Sequence, residues 1–413
     1  MSLTLSIDSI AYRGPGIGRA EGCVVFVPGT CPGETVVAEV VREKKSFKEA
    51  VVVSIENPSP DRLPRPDCRL TTAAGDVQVP GCVYGHVTRE AELRYKQDQL
   101  RSFLTRQAKL EDAAALMLAP FDSPLPLHYR NKIKLRTGRD AQGRRILGYI
   151  GDDNETLVDI PQCPLAREPL NRLLTEIRAD PGFWSYIGED GQIALRWTEA
   201  DGAVVVPEAD RLGGEELPPL TEASPVVGKL IVPVRAFFQV NPEVGAGLVE
   251  HVTALAEACN PHEFVDLYCG VGVFGLSASK RKIRHVTGFD SNRPAVRAAI
   301  ENAKRLGLPA RFYGEYVADV ANRVLEQMAP ARTMAVVDPP RAGLEPEVTA
   351  ALVAHPVENL VYVSCSPDTL ARDLALLTQA GSYAVKSIRL FDMFPRTAHF
   401  ETAVHLERAG TAR

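Results

Sequence analysis

The second half of the chain alternates apolar segments with amphipathic ones, and this rhythm restricts the available folds more than any other feature. Segments with the composition of buried strands include EFVDLYCG, HVTGFDSN, ARTMAVVDPP and NLVYVSC, and helical patterns such as RPAVRAAIENAKRLG lie between them. Strands that are apolar on both faces and alternate with helices are typical of a parallel sheet covered on both sides. The sequence therefore predicts a doubly wound, Rossmann-like α/β domain over residues 226–413.

The first half of the chain is dominated by strand patterns and turn signals instead. Pro-Gly turns divide residues 1–58 into short strands, which predicts a small β-barrel. Residues 59–225 combine a helical segment at 90–118 with further alternating strands, so we expect a β-rich central domain. A Pro-rich stretch precedes this domain, and an acidic, Pro-rich segment at 207–225 ends it. The predicted architecture is thus α/β with three domains.

Composition and charge limit the compartment and the partners. Hydrophobic residues make up 45% of the 413 residues and charged residues 24%, which is ordinary for a soluble globular protein. No signal peptide and no apolar run of ~18 residues is apparent, so we expect a cytoplasmic protein that needs no membrane. No obligate protein partner is evident from the sequence. The net charge is −5, yet residues 130–145 carry seven basic residues and one acid. This hairpin either contacts phosphates or is merely solvated.

A glycine-containing turn follows the first strand of the α/β half. In VDLYCGVGVFGL, Gly270 and Gly272 allow the backbone to approach a ligand closely, and Asp290 follows the next strand. This spacing suits a nucleoside, with the carboxylate on the ribose hydroxyls. The third glycine of the dinucleotide fingerprint is absent, which argues against a nicotinamide dinucleotide. A packing turn beside a solvated aspartate is the alternative.

Two more strand ends carry reactive side chains. VVDPPRAGL places Asp338 after a buried strand, and YVSCSPDTLARDL places Cys365 between a strand and the start of a helix. A helix N-terminus lowers the pKa of a thiol, which favours a nucleophile over a core thiol at Cys365. Glu401 lies in an apolar, strand-like stretch, where a raised pKa would allow proton exchange near neutrality. A salt-bridged glutamate is the alternative reading of that residue.

Taken in order, these motifs resemble the class I S-adenosylmethionine-dependent RNA (uracil-5-)-methyltransferases over nearly the whole chain. The matching segments are FFQVNPEVGAGLVEHV, VDLYCGVGVFGL, VVDPPRAGL, VSCSPDTLARDL and DMFPRTAHFE. Residues 1–58 resemble the OB-like TRAM barrel, an RNA-binding domain of many members, especially those that act on large-subunit ribosomal RNA. The resemblance implies an enzyme that forms 5-methyluridine in RNA, with 23S ribosomal RNA favoured over transfer RNA. A non-catalytic RNA-binding or assembly protein and a small-molecule methyltransferase remain alternatives of other classes.

The resemblance also implies roles for individual residues. Cys365 would add to carbon 6 of uracil, so that carbon 5 can accept a methyl group from S-adenosylmethionine, and Glu401 would remove the proton from carbon 5. The residues expected around S-adenosylmethionine are Gln239, Tyr268, Gly270, Gly272, Asp290 and Asp338, with Glu315 as a further candidate near the adenine.

One part of the family pattern is incomplete. Many relatives bind a [4Fe-4S] cluster through four cysteines, and only Cys68, Cys82 and Cys163 match such positions here. The cysteine expected three residues before Cys82 is Val79. Either another ligand completes the cluster or the cluster is lost, and we take the three cysteines as expected metal ligands. Arg396 also departs from the family pattern, and it either contacts phosphate or is simply exposed.

Overall fold

The computed structural model describes residues 2–72, 75–140, 142–151, 153–207 and 217–410. The predicted acidic linker at 207–225 lies partly outside the described residues, because 208–216 are not among them. The chain divides into two compact units, each built from separate stretches. Unit 1 comprises Met1–Leu100, Leu125–Leu195 and Phe394–His399, and unit 2 comprises Arg101–Pro124, Arg196–Met393 and Phe400–Arg413. The predicted boundaries of three sequential domains stay a prediction.

The strands and helices are as follows. The strands are β1 (Ser2–Ile10), β2 (Gly16–Ala20), β3 (Cys23–Val27), β4 (Thr35–Glu43), β5 (Phe47–Asn57), β6 (Arg69–Thr72), β7 (Gly75–Gln78), β8 (Lys132–Arg139), β9 (Arg145–Ile150), β10 (Leu157–Asp159), β11 (Gln192–Thr198), β12 (Gly202–Pro207), β13 (Leu220–Ser224), β14 (Gly228–Val232), β15 (Glu263–Leu267), β16 (His285–Phe289), β17 (Ala310–Tyr313), β18 (Thr333–Val337), β19 (Asn359–Ser364), β20 (Tyr383–Phe391) and β21 (Glu401–Arg408). The helices are α1 (Arg89–Arg106), α2 (Ala113–Leu116), α3 (Glu168–Ala179), α4 (Pro181–Ile187), α5 (Pro242–Cys259), α6 (Val273–Lys280), α7 (Arg293–Leu306), α8 (Val317–Glu326), α9 (Pro346–Ala354) and α10 (Pro367–Gln379).

In unit 1, the first five strands close into a barrel in the order β1-β2-β3-β5-β4. Residues of β1 alternate between solvent and the barrel interior, so that Leu3, Leu5 and Ile7 are buried against Val25 and Val36. This period of two is the pattern of a strand with one wet face. The predicted N-terminal barrel is confirmed.

The remainder of unit 1 is β-rich and includes α3, α4 and the part of α1 up to Leu100. Strands β8, β9 and β10 form an antiparallel meander, and β8 lies next to β11 in the same sheet. The helical segment predicted at 90–118 is interrupted, because α1 ends at Arg106 and the short α2 begins at Ala113.

Unit 2 contains a seven-stranded sheet in the order β17-β16-β15-β18-β19-β21-β20. The first five of these strands are parallel, and β21 and β20 complete the sheet with antiparallel pairing. Helices α6 to α10 alternate with the parallel strands along the chain. The strand order reverses between β15 and β18, and ligands bind in open α/β sheets outside the carboxyl ends of the strands at such a switch point. The predicted doubly wound α/β domain is confirmed.

A buried ion pair supports the segment that leads into the site. The guanidinium of Arg196 donates to the carboxylate of Glu222 at 2.7 Å and to the carbonyl of Val234 at 2.8 Å. Both charged side chains are almost fully buried. The pair therefore anchors the turn that precedes Phe237 within unit 2. Among the described helices, none is long and apolar enough to cross a membrane.

Candidate active site

Four adjacent parallel strands present predicted site residues at one edge of the sheet. Tyr268 follows β15, Asp290 follows β16, Asp338 follows β18 and Cys365 follows β19. The register pairs Leu267 with both Phe289 and Val337, and Val337 in turn pairs with Tyr362. Because these strands run in the same direction, their carboxyl ends lie side by side. The structure thus brings the predicted residues to one edge.

The glycine turn is organised by the carboxylate of Asp290 as well as by its glycines. The Asp290 carboxylate accepts hydrogen bonds from the amides of Gly270 and Asn292, at 2.8 Å and 2.7 Å. A Cβ on Gly272 would lie 2.8 Å from the ring of Phe312, and its φ of +79° is left-handed. Gly272 therefore permits close packing beneath the turn. Asp290 therefore holds the shape of the turn. Its expected contact with the ribose hydroxyls of a ligand stays a prediction.

A cavity opens beside this turn in unit 2. Of the residues expected around S-adenosylmethionine, four line it: Gln239, Tyr268, Gly270 and Asp338. Glu315 is exposed and pairs with Arg323 at 3.1 Å. The described residues that line the cavity do not include Gly272, Asp290 or Glu315.

Tyr268 has an anchored position at the cavity wall. Its backbone is left-handed, with a φ of +68°, which is uncommon for a residue with a side chain. Its hydroxyl donates to the carboxylate of Glu345, which also accepts a hydrogen bond from Tyr316 at 3.2 Å. One carboxylate therefore links loops that follow three different strands of the sheet.

Phe237 is a cavity residue that the sequence analysis did not single out. It is 67% exposed, which is unusual for a phenylalanine, and Phe238 lines the same cavity. The signal was present in the sequence, because two consecutive aromatic residues precede Gln239 in FFQVN. An exposed aromatic ring at a cavity is a suitable stacking surface for a planar ligand.

The carboxyl groups of the site have raised pKa values. Burial raises the pKa of Asp338 to about 7, and the nearby charge of Asp290 adds to this effect. Burial also raises the pKa of Glu401 well above its usual range, again with a contribution from Asp338. Asp338 can therefore exchange protons near neutral pH. For Glu401, the raised pKa agrees with the direction expected from its apolar surroundings.

Cys365 lies close to the same charges, and the structure reverses the expected direction of its pKa. Burial, followed by the negative charges of Glu401 and Asp338, raises the pKa of the thiol to about 11. These effects outweigh the helix N-terminus at α10, which was the basis of the sequence argument. Arg341 acts in the opposite direction and favours the thiolate. Sequence reasoning missed Arg341, although it lies in the same VVDPPRAGL segment as Asp338.

In the ligand-free protein, the alkylation rate of Cys365 is expected to rise with pH and to reach half its maximum near pH 11, because only the thiolate reacts. Mass spectrometry of the Cys365 peptide after timed exposure to iodoacetamide measures this rate. Cys31 is fully buried, so its alkylation reports any unfolding at alkaline pH. A half-maximal rate near pH 7 would contradict the expected influence of burial and the carboxylates.

Comparison with known proteins places this chain in a family. A family model described as tRNA (uracil-5-)-methyltransferase matches residues 322–409, and one described as a methyltransferase small domain matches residues 244–361. The 23S rRNA (uracil(1939)-C(5))-methyltransferase of Chromohalobacter salexigens is 31% identical, over 98% of this chain and 89% of the relative. This chain belongs to the RNA (uracil-5-)-methyltransferase family.

Two further proteins show how far the similarity extends. An RNA methyltransferase of Listeria innocua is 30% identical over 98% of this chain and 97% of its own length. The crystal structure of the Pyrococcus abyssi tRNA (uracil-54, C5)-methyltransferase, in complex with S-adenosyl-L-homocysteine, covers 98% of this chain with a TM-score of 0.73 and 23% identity. This chain therefore shares its fold with that solved structure over nearly the entire length of both chains.

The iron–sulfur ligands expected from the family pattern are not assembled. Cys68 and Cys82 are joined in a disulfide, so neither sulfur is free to bind iron, and Cys163 is a separate buried thiol. Across the described ranges, no three His, Cys, Asp or Glu side chains form a group that could hold a metal ion. Since a four-iron cluster uses four ligands, this donor set does not fit it. The assignment of these three cysteines as metal ligands is corrected accordingly.

Arg396 is neither exposed nor available to phosphate. It is 4% exposed, and its guanidinium pairs with Asp67 at 2.8 Å and with Glu92 at 3.2 Å. Its backbone amide also donates to Glu92, and its φ is +66°. Lys96 and Glu92 form a further buried pair at 2.8 Å. Arg396 thus has a structural role inside unit 1, where the loop Phe394–His399 is held.

Proposed function

We propose that this protein transfers a methyl group from S-adenosylmethionine to carbon 5 of a uridine in RNA, with 23S ribosomal RNA as the substrate. The observation that carries the proposal is that Asp338, Cys365 and Glu401 lie at the ends of the neighbouring strands β18, β19 and β21, where their charges affect one another. The relative from Chromohalobacter supports ribosomal RNA by its described activity. The Pyrococcus neighbour favours transfer RNA as the second candidate.

The cavity residues fit S-adenosylmethionine chemically. Gln239 supplies amide groups, Tyr268 supplies an aromatic ring and Asp338 supplies a buried carboxyl group of opposite charge to a sulfonium. These residues, with the backbone at Gly270, would hold the molecule. When bound, S-adenosylmethionine supplies an electrophilic methyl group.

Cys365 and Glu401 divide the reaction between them. The Cys365 thiolate forms a bond to carbon 6 of uracil, and the electron pair of the 5,6 double bond moves to the O4 enolate. Carbon 5 is then nucleophilic and accepts the methyl group. Glu401 removes the remaining proton from carbon 5, the double bond forms again and the sulfur–carbon bond breaks. The thiolate is released, so the cysteine is regenerated at each turnover.

Two residues outside the predicted set support these steps. Arg341 is positively charged and lowers the pKa of both Cys365 and Glu401, so it favours the forms that act as nucleophile and base. Phe237 offers an exposed ring on which a uracil taken out of its base stack can rest. Both residues are therefore assigned to the same reaction.

The proposal is tested by methyl transfer to defined RNA. Purified protein is incubated with methyl-labelled S-adenosylmethionine and with transcripts of 23S ribosomal RNA or transfer RNA, and the nucleosides are then separated. We expect label in 5-methyluridine from the ribosomal transcript. Label in the transfer RNA alone would favour the second substrate. Label in another nucleoside, or no transfer to either RNA, would overturn the proposed activity.

Strand β8 provides an expected contact with the RNA. Lys132, Lys134 and Arg136 alternate with buried residues and therefore share one face of the strand. Successive members of this row are about 6.8 Å apart, at two residues per step. Within the described part of the chain, Lys134 and Arg136 are exposed and form no ion pair. This is consistent with contacts to phosphates.

Replacing Lys134 and Arg136 together by glutamine is expected to weaken RNA binding and to reduce its salt dependence. If each of the two side chains contacts one phosphate of a single RNA strand, their loss reduces the slope of the logarithm of the binding constant against the logarithm of the salt concentration by about 1.4 in magnitude. The measurement is a filter-binding titration at several salt concentrations. The control replaces Arg297 and Lys304, two exposed cations on α7, by glutamine. Equal slopes for both double variants would contradict a specific role of β8.

A further inference from the structure

The loop between β18 and α9 carries two charges that act on Cys365 in opposite directions. Asp338, at its start, raises the pKa of the thiol, whereas Arg341, three residues later, lowers it. The pKa of Cys365 therefore depends on where this loop is held relative to the thiol. Pro339 and Pro340 stiffen its beginning, but they provide no amide hydrogen with which to anchor it.

The other end of the loop is fastened to helix α10. The buried carboxylate of Asp373 accepts hydrogen bonds from the Leu344 amide at 2.8 Å and from the Tyr362 hydroxyl at 2.7 Å. It also accepts one from Arg372 at 2.8 Å. Asp373 is 1% exposed, so its charge is balanced by these donors rather than by water.

Neighbouring residues of α10 extend this attachment. The guanidinium of Arg372 donates to the carbonyl of Ala342 at 3.0 Å, and the Thr369 hydroxyl donates to the carbonyl of Arg341 at 3.2 Å. Gly343 has a φ of +80°, and a Cβ there would lie 2.5 Å from both Arg372 and Asp373. Only glycine allows the loop to approach the helix this closely.

We propose that Asp373 is a positioning residue, which fixes Arg341 relative to Cys365 by fastening the loop to α10. Helix α10 starts two residues after Cys365, so the nucleophile and the loop share one rigid support. The Leu344 amide and Arg372 transmit the position of Asp373 to the backbone of the loop. This inference rests on the proposed function only in taking Cys365 as the nucleophile.

The first test is the pH dependence of Cys365 alkylation in the Asp373→Asn variant, without RNA or S-adenosylmethionine. If Arg341 is no longer held, the half-maximal rate should move to higher pH than in the unmodified protein. The Arg341→Gln variant should show a similar displacement. Asn302→Ala, which removes a buried link to Ile231 elsewhere in unit 2, should lower the melting temperature without this displacement.

A double-mutant cycle decides whether Asp373 acts through Arg341. In the Arg341→Gln background, Asp373→Asn should cause no further displacement, whereas additive displacements would overturn the proposal. Arg372→Gln is the second variant if Asp373→Asn does not fold, since Arg372 is half exposed. An unchanged alkylation profile in a folded variant would equally overturn it.

The same variants separate this proposal from the methyltransferase assignment. With RNA that contains 5-fluorouridine, Asp373→Asn is expected to form the covalent adduct about ten to a hundred times more slowly, the size of effect that misplaced reacting groups cause. If the unmodified protein forms no adduct, the proposed function fails, whereas the alkylation result still stands. If adduct formation is unchanged in the variant, positioning by Asp373 is overturned.

Discussion

Cys365→Ala is expected to abolish methyl transfer, with a fall in kcat of about 10⁴-fold or more. In the proposed reaction the Cys365 sulfur forms the bond to carbon 6 that makes carbon 5 nucleophilic, so removing the sulfur removes the reaction path rather than slowing one step. The measurement is single-turnover transfer of labelled methyl groups to the transcript that the unmodified protein accepts. RNA binding should change little, because Cys365 is a small, half-buried side chain.

The matched control is Cys259→Ala. Cys259 is also a free, half-buried thiol of unit 2, but it ends helix α5 away from the residues that line the cavity. This variant should retain nearly full activity. The 5-fluorouridine adduct should form in Cys259→Ala and be absent in Cys365→Ala. Substantial methyl transfer by Cys365→Ala would remove the covalent route from consideration.

The architecture of unit 2 could be predicted because its pattern is local. The central strands β15, β18 and β19 of the parallel sheet are buried on both faces, and each is followed by a turn and a helix, so the element types can be read segment by segment. The positions of Asp338 and Cys365 at strand ends follow from the same pattern. Asp338 and Cys365 are then expected to lie close together, because the carboxyl ends of neighbouring parallel strands lie at the same edge of a sheet.

The electrostatics of the site could not be predicted in this way. The pKa of Cys365 depends on Glu401 and Asp338, which belong to other strands, and on the depth of burial. The start of a helix can be recognised in the sequence. The residues that lie near Cys365 on neighbouring strands cannot. The close packing at Gly272 could not be predicted either, because its neighbour Phe312 lies on strand β17, far along the chain.

Arg396 shows the same limit in unit 1. Its partners Asp67 and Glu92 lie some 300 residues earlier in the chain, and no local pattern pairs them. The sequence likewise does not show which stretches of the chain form each unit. The short stretch Phe394–His399 belongs to unit 1, whereas both flanking stretches belong to unit 2. The disulfide between Cys68 and Cys82 likewise required the fold, because the resemblance to the family implied metal ligands instead.

Glu401→Gln is expected to lower kcat by about 10²- to 10⁴-fold, which is the usual contribution of a general base. Its effect should differ in kind from that of Cys365→Ala. The variant can still form the sulfur–carbon bond and accept the methyl group, but the proton on carbon 5 stays in place. The double bond then cannot form again, and the protein remains joined to its RNA.

The measurement that distinguishes these two defects is the accumulation of a covalent protein–RNA complex with ordinary uridine, detected by mass after denaturation. Glu407→Gln is the matched control, because Glu407 lies on the same strand β21 and pairs with Lys386 at the surface. In the unmodified protein, burial raises the pKa of Glu401, so activity should fall as pH decreases and the base becomes protonated. The thiolate fraction of Cys365 falls in the same direction, so a shallower fall in Glu401→Gln than in the unmodified protein would assign the difference to that carboxylate. A slow variant without accumulated complex would instead place Glu401 before bond formation, since a base needed only for the last step cannot delay the first.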